Sequence, residues 1–528
     1  MSIFVSGIRL PFGEPEQAAL QAACQQCGIA PDGVDAAVYR VSLDARHGRI
    51  QQVYTVVLDG LEEEEAFAAK LQMPSVRYKE TIPFAPTLGK TPLSHPPVVI
   101  GFGPAGLFAA FLLARYGYQP LVLERGDTIA RRDQAVGQFW AGGALDLHSN
   151  IQFGEGGAGA YSDGKLTTRI NDPLCDEVLR ILVQFGAPPE ILRMAKPHIG
   201  TDILKTVVCA MREAIIAYGG TVRFRTPVTG LSQKNGVLAA LFADGMEIGC
   251  EQAVLAIGHS ARDTFFALHK AGVDMQPKPF SAGVRIEHLQ EDINRALYGK
   301  AAGLSGLPPA EYALSCRDGG RACYTFCMCP GGQVVAAQSE ENTIVTNGMS
   351  YHARDGRNAN AAIAVSLDPV DFDDGTPFGG IALQRQIEQA AFQLSGSYHA
   401  PCQTVRDFME GRASRKAGRV QPTYPIGVAY GRADQCLPDF ITASLRTGLR
   451  AFGKKIHGFD SADALITAPE TRTSSPVRLP RGQSLYSRTV DGLIPCGEGA
   501  GYAGGIMSAA VDGMRAACRI MEQFAPVG

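Results

Sequence analysis

The stretch Pro97-Val98-Val99-Ile100-Gly101-Phe102-Gly103-Pro104-Ala105-Gly106-Leu107-Phe108-Ala109-Ala110 decides the fold. Its apolar start reads as a buried strand, its glycines as a turn, and the run after Pro104 as the start of a helix. Gly101, Gly103 and Gly106 fit G-x-G-x-x-G in the context that pattern needs. The first glycine makes the tight turn, the second lets backbone approach a pyrophosphate, and the third lets helix pack on strand. A diphosphate would sit on the free N–H groups of the helix N-terminus, where Pro104 gives up no needed donor. A second apolar run, Pro120-Leu121-Val122-Leu123-Glu124, ends in an acid 18 residues after Gly106. Glu124 is therefore the expected acceptor for an adenosine ribose, and the unit is expected to bind a dinucleotide.

Outward from this unit, 528 residues leave room for two or three domains. A formal net charge of −3 argues against a general nucleic-acid binder, which needs a basic surface. Thirteen scattered cysteines make no short disulfide framework and favour free thiols in a reducing compartment. Met1 to Val5 carries no basic region followed by a long apolar one, so no signal peptide is expected. Pro96 to Ala114 forms 19 uncharged positions, long enough to imitate a membrane span, but glycines and a proline interrupt it at the phosphate turn. The expectation is a cytoplasmic protein with no membrane span.

Residues 1–90 read as a small α/β module of β-α-β-β-α order, a split βαβ, ferredoxin-like arrangement. Cys24-Gln25-Gln26-Cys27 resembles a redox C-x-x-C, but it ends a helix rather than beginning one, so core or solvated thiols are expected. Ile82 to Pro97 carries five prolines and reads as a linker. After Glu124, Arg125, Arg131 and Arg132 are either phosphate or ribose neighbours or a solvated charged loop. A second glycine cluster runs from Phe153 to Lys165. Within it, Gly159-x-x-x-x-Gly164-Lys165 misses the P-loop because Leu166 replaces the hydroxyl that would hold magnesium. Gly156, Gly157, Ser162 and Lys165 instead suggest a nest that wraps a cofactor's phosphates and ribityl chain.

Asp176 to Phe185 and Ile203 to Tyr218 read as helices. Thr221 to Leu231, Val237 to Phe242 and Met246 to Cys250 read as three strands. Another buried strand, through Ala256, runs into the Gly258 turn. From 264 to 480 the pattern gives short alternating runs and one clear helix, Leu383 to Leu394. Arg285 to His288, Arg472, Arg478 and Arg481 could line a site, though surface arginines are the commoner explanation. Cys316, Cys323, Cys327 and Cys329 have the wrong spacing for an iron–sulfur cluster, and strand cysteines in a core explain them better. A third glycine cluster, Gly492 to Met507, leads into a helix over Ser508 to Met521 whose positive end suits a reduced, negatively charged ring.

These strings together resemble a known family. The glycine turn, Ala256-Ile257-Gly258 after a late strand, and Gly497-Glu498 before a closing helix are similar to FAD-dependent oxidoreductases of the glutathione-reductase-like fold. Asn150-Ile151-Gln152-Phe153-Gly154-Glu155-Gly156-Gly157, Thr325-Phe326-Cys327-Met328-Cys329-Pro330-Gly331-Gly332 and Cys496 to Gly505 resemble the bacterial FAD-dependent dehydrogenases of largely unassigned substrate. The resemblance implies an α/β, Rossmann-like FAD-binding domain over 91–263 and 481–528. A capping α+β domain over 264–480 interrupts it, and the ferredoxin-like module precedes it. It further implies Gly101, Gly103 and Gly106 on the diphosphate, Glu124 on the ribose, and Val228 presenting backbone to the adenine. Glu498, where the wider fold has Asp, would meet ribityl or diphosphate oxygens, and Gly505, Ile506 and Met507 would set the last helix at flavin N1 and O2.

Fold-level likeness assigns no chemistry. The leading expectation is hydride transfer between flavin N5 and a small-molecule substrate under the cap, with Cys327, Cys329 and His288 as candidate catalytic groups. Only one G-x-G-x-x-G stands in the full unit of strand, turn, helix and acid-ended second strand, so NAD(P)H would act, if at all, as a donor at a transient site. A third reading, an FAD-bound RNA-modification or interaction protein, rests on one basic patch: Arg412, Arg415, Lys416 and Arg419. No metal is expected, and the oligomeric state is not legible.

Overall fold

The computed structural model describes residues 2–80 and 83–527, the side chains of His47 and Asp318 excepted. Ile82, the first residue of the expected linker, lies outside the described residues.

Near the N-terminus, alternating apolar residues pair four strands in the order Asp35–Asp44, Gln51–Asp59, Ser2–Pro11, Val76–Lys79, every neighbour antiparallel. That order, with the helices Glu16–Cys27 and Glu64–Leu71 between strands, is the ferredoxin-like topology. Ile3, Val5, Tyr54, Val56 and Leu58 form its core with Ala19, Ala23 and both cysteines of the C-x-x-C pair, which are buried, free thiols.

The dinucleotide unit builds a five-stranded parallel sheet ordered Leu493–Pro495, Ala253–Leu255, Val98–Ile100, Leu121–Leu123, Thr221–Arg223. The four strands other than the edge strand Thr221–Arg223 are short and apolar because both faces are covered, one by helices and the other by a three-stranded antiparallel sheet and the helix Arg262–Lys270. The helix Pro104–Arg115 packs against the last helix, Ile506–Gln523, at Gly513, where a Cβ would overlap the Ala105 carbonyl. The expected strand Thr221 to Leu231 is two strands. Thr221–Arg223 ends the parallel sheet, and Val228–Lys234 starts a separate three-stranded antiparallel one. Between them Arg225 adopts a φ of 54°, held by bonds to Asp127 and Asp146.

The chain leaves this body at Gln276–Pro277 and returns at Val477–Arg478, and the two short strands pair with each other. The residues between them make a seven-stranded sheet, antiparallel except for its last pair. At its centre lie Phe280–Leu289 and Asn358–Leu367, paired over ten residues and buried along almost their whole length. The single expected helix, here Gly379–Ser395, has company: Gln290–Tyr298, Val405–Glu410 and Asp439–Lys455 are helical too. In Asp439–Lys455 the residues Ile441, Leu445, Leu449 and Phe452 keep helical spacing, but Gly448 and Gly453 disguise it. Both glycines answer tertiary needs: Cβ atoms there would overlap the Cys323 sulfur and the Asp460 carboxylate. Among the described residues no helix is long and apolar enough to cross a membrane.

Candidate cofactor cleft

One cleft of about 350 Å³ runs between the parallel sheet and the cap, within the usual range for small-molecule sites. Its floor is the glycine turn. Gly101 has a φ of 95°, and a Cβ on it would overlap the Ala256 carbonyl. Gly106 lies under the turn, where a Cβ would overlap the Gly101 carbonyl, so its task is helix–strand packing. Gly103, Pro104 and Ala105 face the cleft at the helix N-terminus. Across from them comes the second glycine cluster. Gly157, at a φ of 59°, leaves so little room that a Cβ would lie 2.8 Å from the Gly103 Cα. Gly156 does not face the cleft; its N–H donates to the Phe102 carbonyl at 2.9 Å and pins the loop to the turn.

At one end stand Glu124, Arg125 and Val228. The Glu124 carboxylate is 5% exposed and accepts backbone N–H bonds from Phe102, Gly126 and Gly154 at 2.8, 2.8 and 2.9 Å. A carboxylate offers about four acceptor sites, so about one remains for a ribose hydroxyl. Arg125 pairs with Asp263 and stacks 4.6 Å over the Phe153 ring, which closes this end. Arg132 is not a phosphate neighbour. It is fully buried, and its guanidinium donates to the carbonyls of Asn150, Ile151, Glu155 and Gly157. A buried cation needs this many acceptors, and here they shape the glycine loop from behind. Arg131 points to solvent.

At the other end, Ala256 and Gly258 follow the strand Ala253–Leu255, and Gly497, Glu498, Gly505 and Ile506 follow Leu493–Pro495. Met507 turns into the core instead of the cleft. Burial, with Lys278 opposing, pushes the Glu498 carboxyl up to about 7. Ser162 lines the cleft and accepts from the Gly164 N–H at 3.0 Å. Lys165 sits there too, but its ammonium goes to the Met328 carbonyl and to Glu311 at 3.4 Å, tying the loop to the cap.

The cap wall supplies Phe326, Cys327, Asn347, Glu470, Arg472 and Thr473. Of these, Asn347, Glu470 and Thr473 escaped sequence reasoning, as did His259 on the floor. No local pattern marks them, because the sheet brings them in from distant places. His288 is not at the site: it lies in the cap core, bonded to the Phe459 carbonyl at 2.7 Å. Arg285, Arg472 and Arg481 are not surface arginines. Arg285 and Arg472 are buried and Arg481 is partly buried, and each is paired, with Glu470, Glu388 and Asp512 respectively. Burial opposes ionisation of Glu388, but Arg262 and Arg472 outweigh it and hold the carboxyl down at about 2. Burial and those same two arginines push His259 down to about 3, so it faces the cleft neutral. In the basic patch, Arg412 pairs with Asp407 and Glu410, and Arg419 with Asp292.

The residues present fit FAD. Cβ atoms on Gly258, Gly504 and Gly505 would meet nothing within 4 Å, because the space beside these glycines is the cleft itself. Two helix N-termini face that space, at Gly103 and at Gly505, and such ends favour anions. Among the described residues no cluster of three or more His, Cys, Asp or Glu could hold a metal ion.

Residues 279–473 match the family described as "FAD-dependent protein, C-terminal domain-like". Among solved structures, the chain is similar to a glycine oxidase from Bacillus cereus ATCC 14579, with 11% identity, TM-score 0.35, and 80% of this chain and 94% of that one covered. It is also similar to CtdE in complex with FAD, with 12% identity, TM-score 0.31, and 79% and 81% covered. An uncharacterized protein of Clostridium beijerinckii (strain ATCC 51743 / NCIMB 8052) is 45% identical over 529 residues, 99% of each chain. Identity at that level along the whole length places the chain in one family with the clostridial protein, and residues 279–473 carry the match to the FAD-dependent C-terminal domain.

Proposed function

We propose that the protein is an FAD-dependent oxidoreductase that moves a hydride between flavin N5 and an organic substrate held under the cap. The observation that supports it best is the continuity of the cleft. It runs from the Glu124 end, over backbone at Gly101–Ala105 and Gly157–Gly159, to the Ile506 helix end, where the cap closes it. Gly103, Pro104, Ala105 and Gly157 would hold the diphosphate, Glu124 the adenosine ribose, Val228 the adenine, and Gly505 and Ile506 the ring. The bound flavin would supply two-electron redox chemistry, and the protein sets orientation, shielding and charge.

The chain's own residues do the rest. The Ile506 helix end stabilises negative charge beside it. The buried cap wall excludes water, which strengthens electrostatic interactions within the cleft. Glu498 and Glu470, both pushed up to about 7 by burial, can hold or release a proton near neutral pH. Glu470 is the more constrained of the two, since Arg285 opposes the upward shift.

The test is direct. Purified protein should be yellow and show a flavin spectrum that survives gel filtration. A colourless protein that neither quenches nor retains added FAD would sink the proposal. Anaerobic mixing with NADH or NADPH then asks whether a pyridine nucleotide serves as donor, by whether the flavin band bleaches.

A further inference from the structure

Cys327 and Cys329 lie on the strand Arg321–Cys329 where its pairing with Asn358–Leu367 slips, so that Phe326 faces Ala362 while Cys329 faces Asn360. At this bulge Cys327 takes a φ of 43°, a left-handed conformation uncommon outside glycine and typical of constrained sites. The distortion brings the two residues together. The Cys329 thiol donates to the Cys327 carbonyl at 3.4 Å, which holds it beside its neighbour two residues back. Cys327 lines the cleft, and Cys329 is fully buried.

Arg285 clamps the pair from beneath. Its Nη2 donates to the Cys327 carbonyl at 2.8 Å and lies 3.7 Å from the Cys329 sulfur. Its Nη1 binds Glu470, and its Nε binds Asn360. The bond from Cys329 holds the Cys327 thiol below its ordinary range against burial, and the cations of Arg285 and Lys165 help while Asp163 opposes. Burial pushes the two neighbouring acids, Glu470 and Glu498, up to about 7, against Arg285 at the first and Lys278 at the second. Cys496, the other thiol facing the cleft, is pushed upward by burial. A thiol that meets a ligand cleft, backed by a second, buried thiol two residues along the same bulge, is the arrangement of an attacking and a resolving cysteine.

We propose that Cys327 and Cys329 form a reversible dithiol–disulfide couple in the cap wall, Cys327 meeting the cleft and Cys329 resolving, which exchanges an electron pair with the cofactor. This rests on the reading of the cleft as the FAD site. On oxidation, the Cys327 thiolate and the Cys329 thiol lose two electrons and one proton as one S–S bond forms. Oxidised flavin takes up that pair and that proton and becomes the reduced anion. In the reverse direction the S–S bond breaks, and Cys327 leaves as thiolate while Cys329 regains the proton.

The experiment has two arms. In the first, phosphine-reduced protein is treated with oxidised glutathione, denatured, alkylated with iodoacetamide and mapped by fragmentation mass spectrometry. The expected result is a bond between Cys327 and Cys329 that costs two hydrogen masses and two alkyl groups, and that reverses on reduction. No such bond, or one joining Cys316 to Cys323 instead, overturns the couple. This arm needs neither bound flavin nor a variant.

In the second arm, oxidised FAD-loaded protein is titrated anaerobically with dithionite. Wild type should take up one electron pair per flavin more than Cys327→Ser does, and Cys329→Ala should match the serine variant. A disulfide in the first arm with no extra electron pair in the second overturns exchange with the cofactor. If the protein binds no FAD, the cleft reading fails, and the first arm still decides the couple.

Discussion

The floor of the cleft and its cap wall differ in what they expose and in how they are held. Along the floor, Gly101, Gly103, Gly157, Gly258 and Gly505 present backbone, and Glu124 within the cleft and Arg132 behind the glycine loop are bonded to backbone partners. The cap wall presents side chains, and behind it lie buried ion pairs: Arg262 and Arg472 on Glu388, Arg285 on Glu470. A diphosphate needs close approach to N–H groups, which a Cβ would prevent. A substrate wall needs shaped, fixed side chains, and buried charges serve only when every donor is satisfied. The contrast shows one cleft solving two problems by opposite means.

If that contrast is right, damage to the two walls should differ in kind. The largest effect is expected from Glu388→Ala, which strands Arg472 as an unpaired buried cation and leaves Arg262 paired with Glu340 alone. Loss of one partner in such a network costs about 3–5 kcal/mol, read as a fall in the urea midpoint. A variant that unfolds with wild-type parameters would break the account of the cap.

Next comes Gly157→Ala, which forces a left-handed alanine against Gly103. The strain is about 1–3 kcal/mol, but the telling result is on the ligand: FAD retention should fall at least about tenfold, measured by fluorescence of the released flavin. Retention like wild type would mean that the glycine loop does not touch the cofactor.

The third effect is on pH. Glu498 keeps its proton in the folded chain up to about 7, against an ordinary value of 4.5 when unfolded. Between those values the folded form binds more protons, so stability falls as pH rises, by up to about 1.4 kcal/mol per pH unit for one group. Glu498→Gln should flatten that part of the melting-temperature profile of the flavin-free protein. An unchanged slope would place the carboxyl in water.

Smallest is Thr404→Ala, at the far side of the cap sheet. Thr404 caps the helix Val405–Glu410 by accepting from the Asp407 N–H. Losing a cap of this kind costs about 1 kcal/mol, and flavin retention should not change. A loss of flavin would show that the cap and the floor are coupled beyond the shared cleft.

The sequence determined the floor. Motif glycines, a strand before them, an acid after the next strand and a glycine turn before the last helix are local patterns, because a tight turn and a close backbone approach constrain residues near one another in the chain. The ferredoxin-like module was legible for a similar reason: two-residue alternation marks its strands. Arg132 and Met507 were misplaced, since sequence position set them beside the motif while burial turned them away from the cleft.

The cap wall was decided by tertiary structure alone. Arg262 meets Glu388 across 126 positions, and Arg285 meets Glu470 across 185. Such pairings have no period and no motif; desolvation and charge balance select them only after the sheet has assembled. The same holds for Cys327 and Cys329. Their spacing is visible in the chain, but the bulge that sets Cys329 against the Cys327 carbonyl exists only where Arg321–Cys329 pairs out of register with Asn358–Leu367.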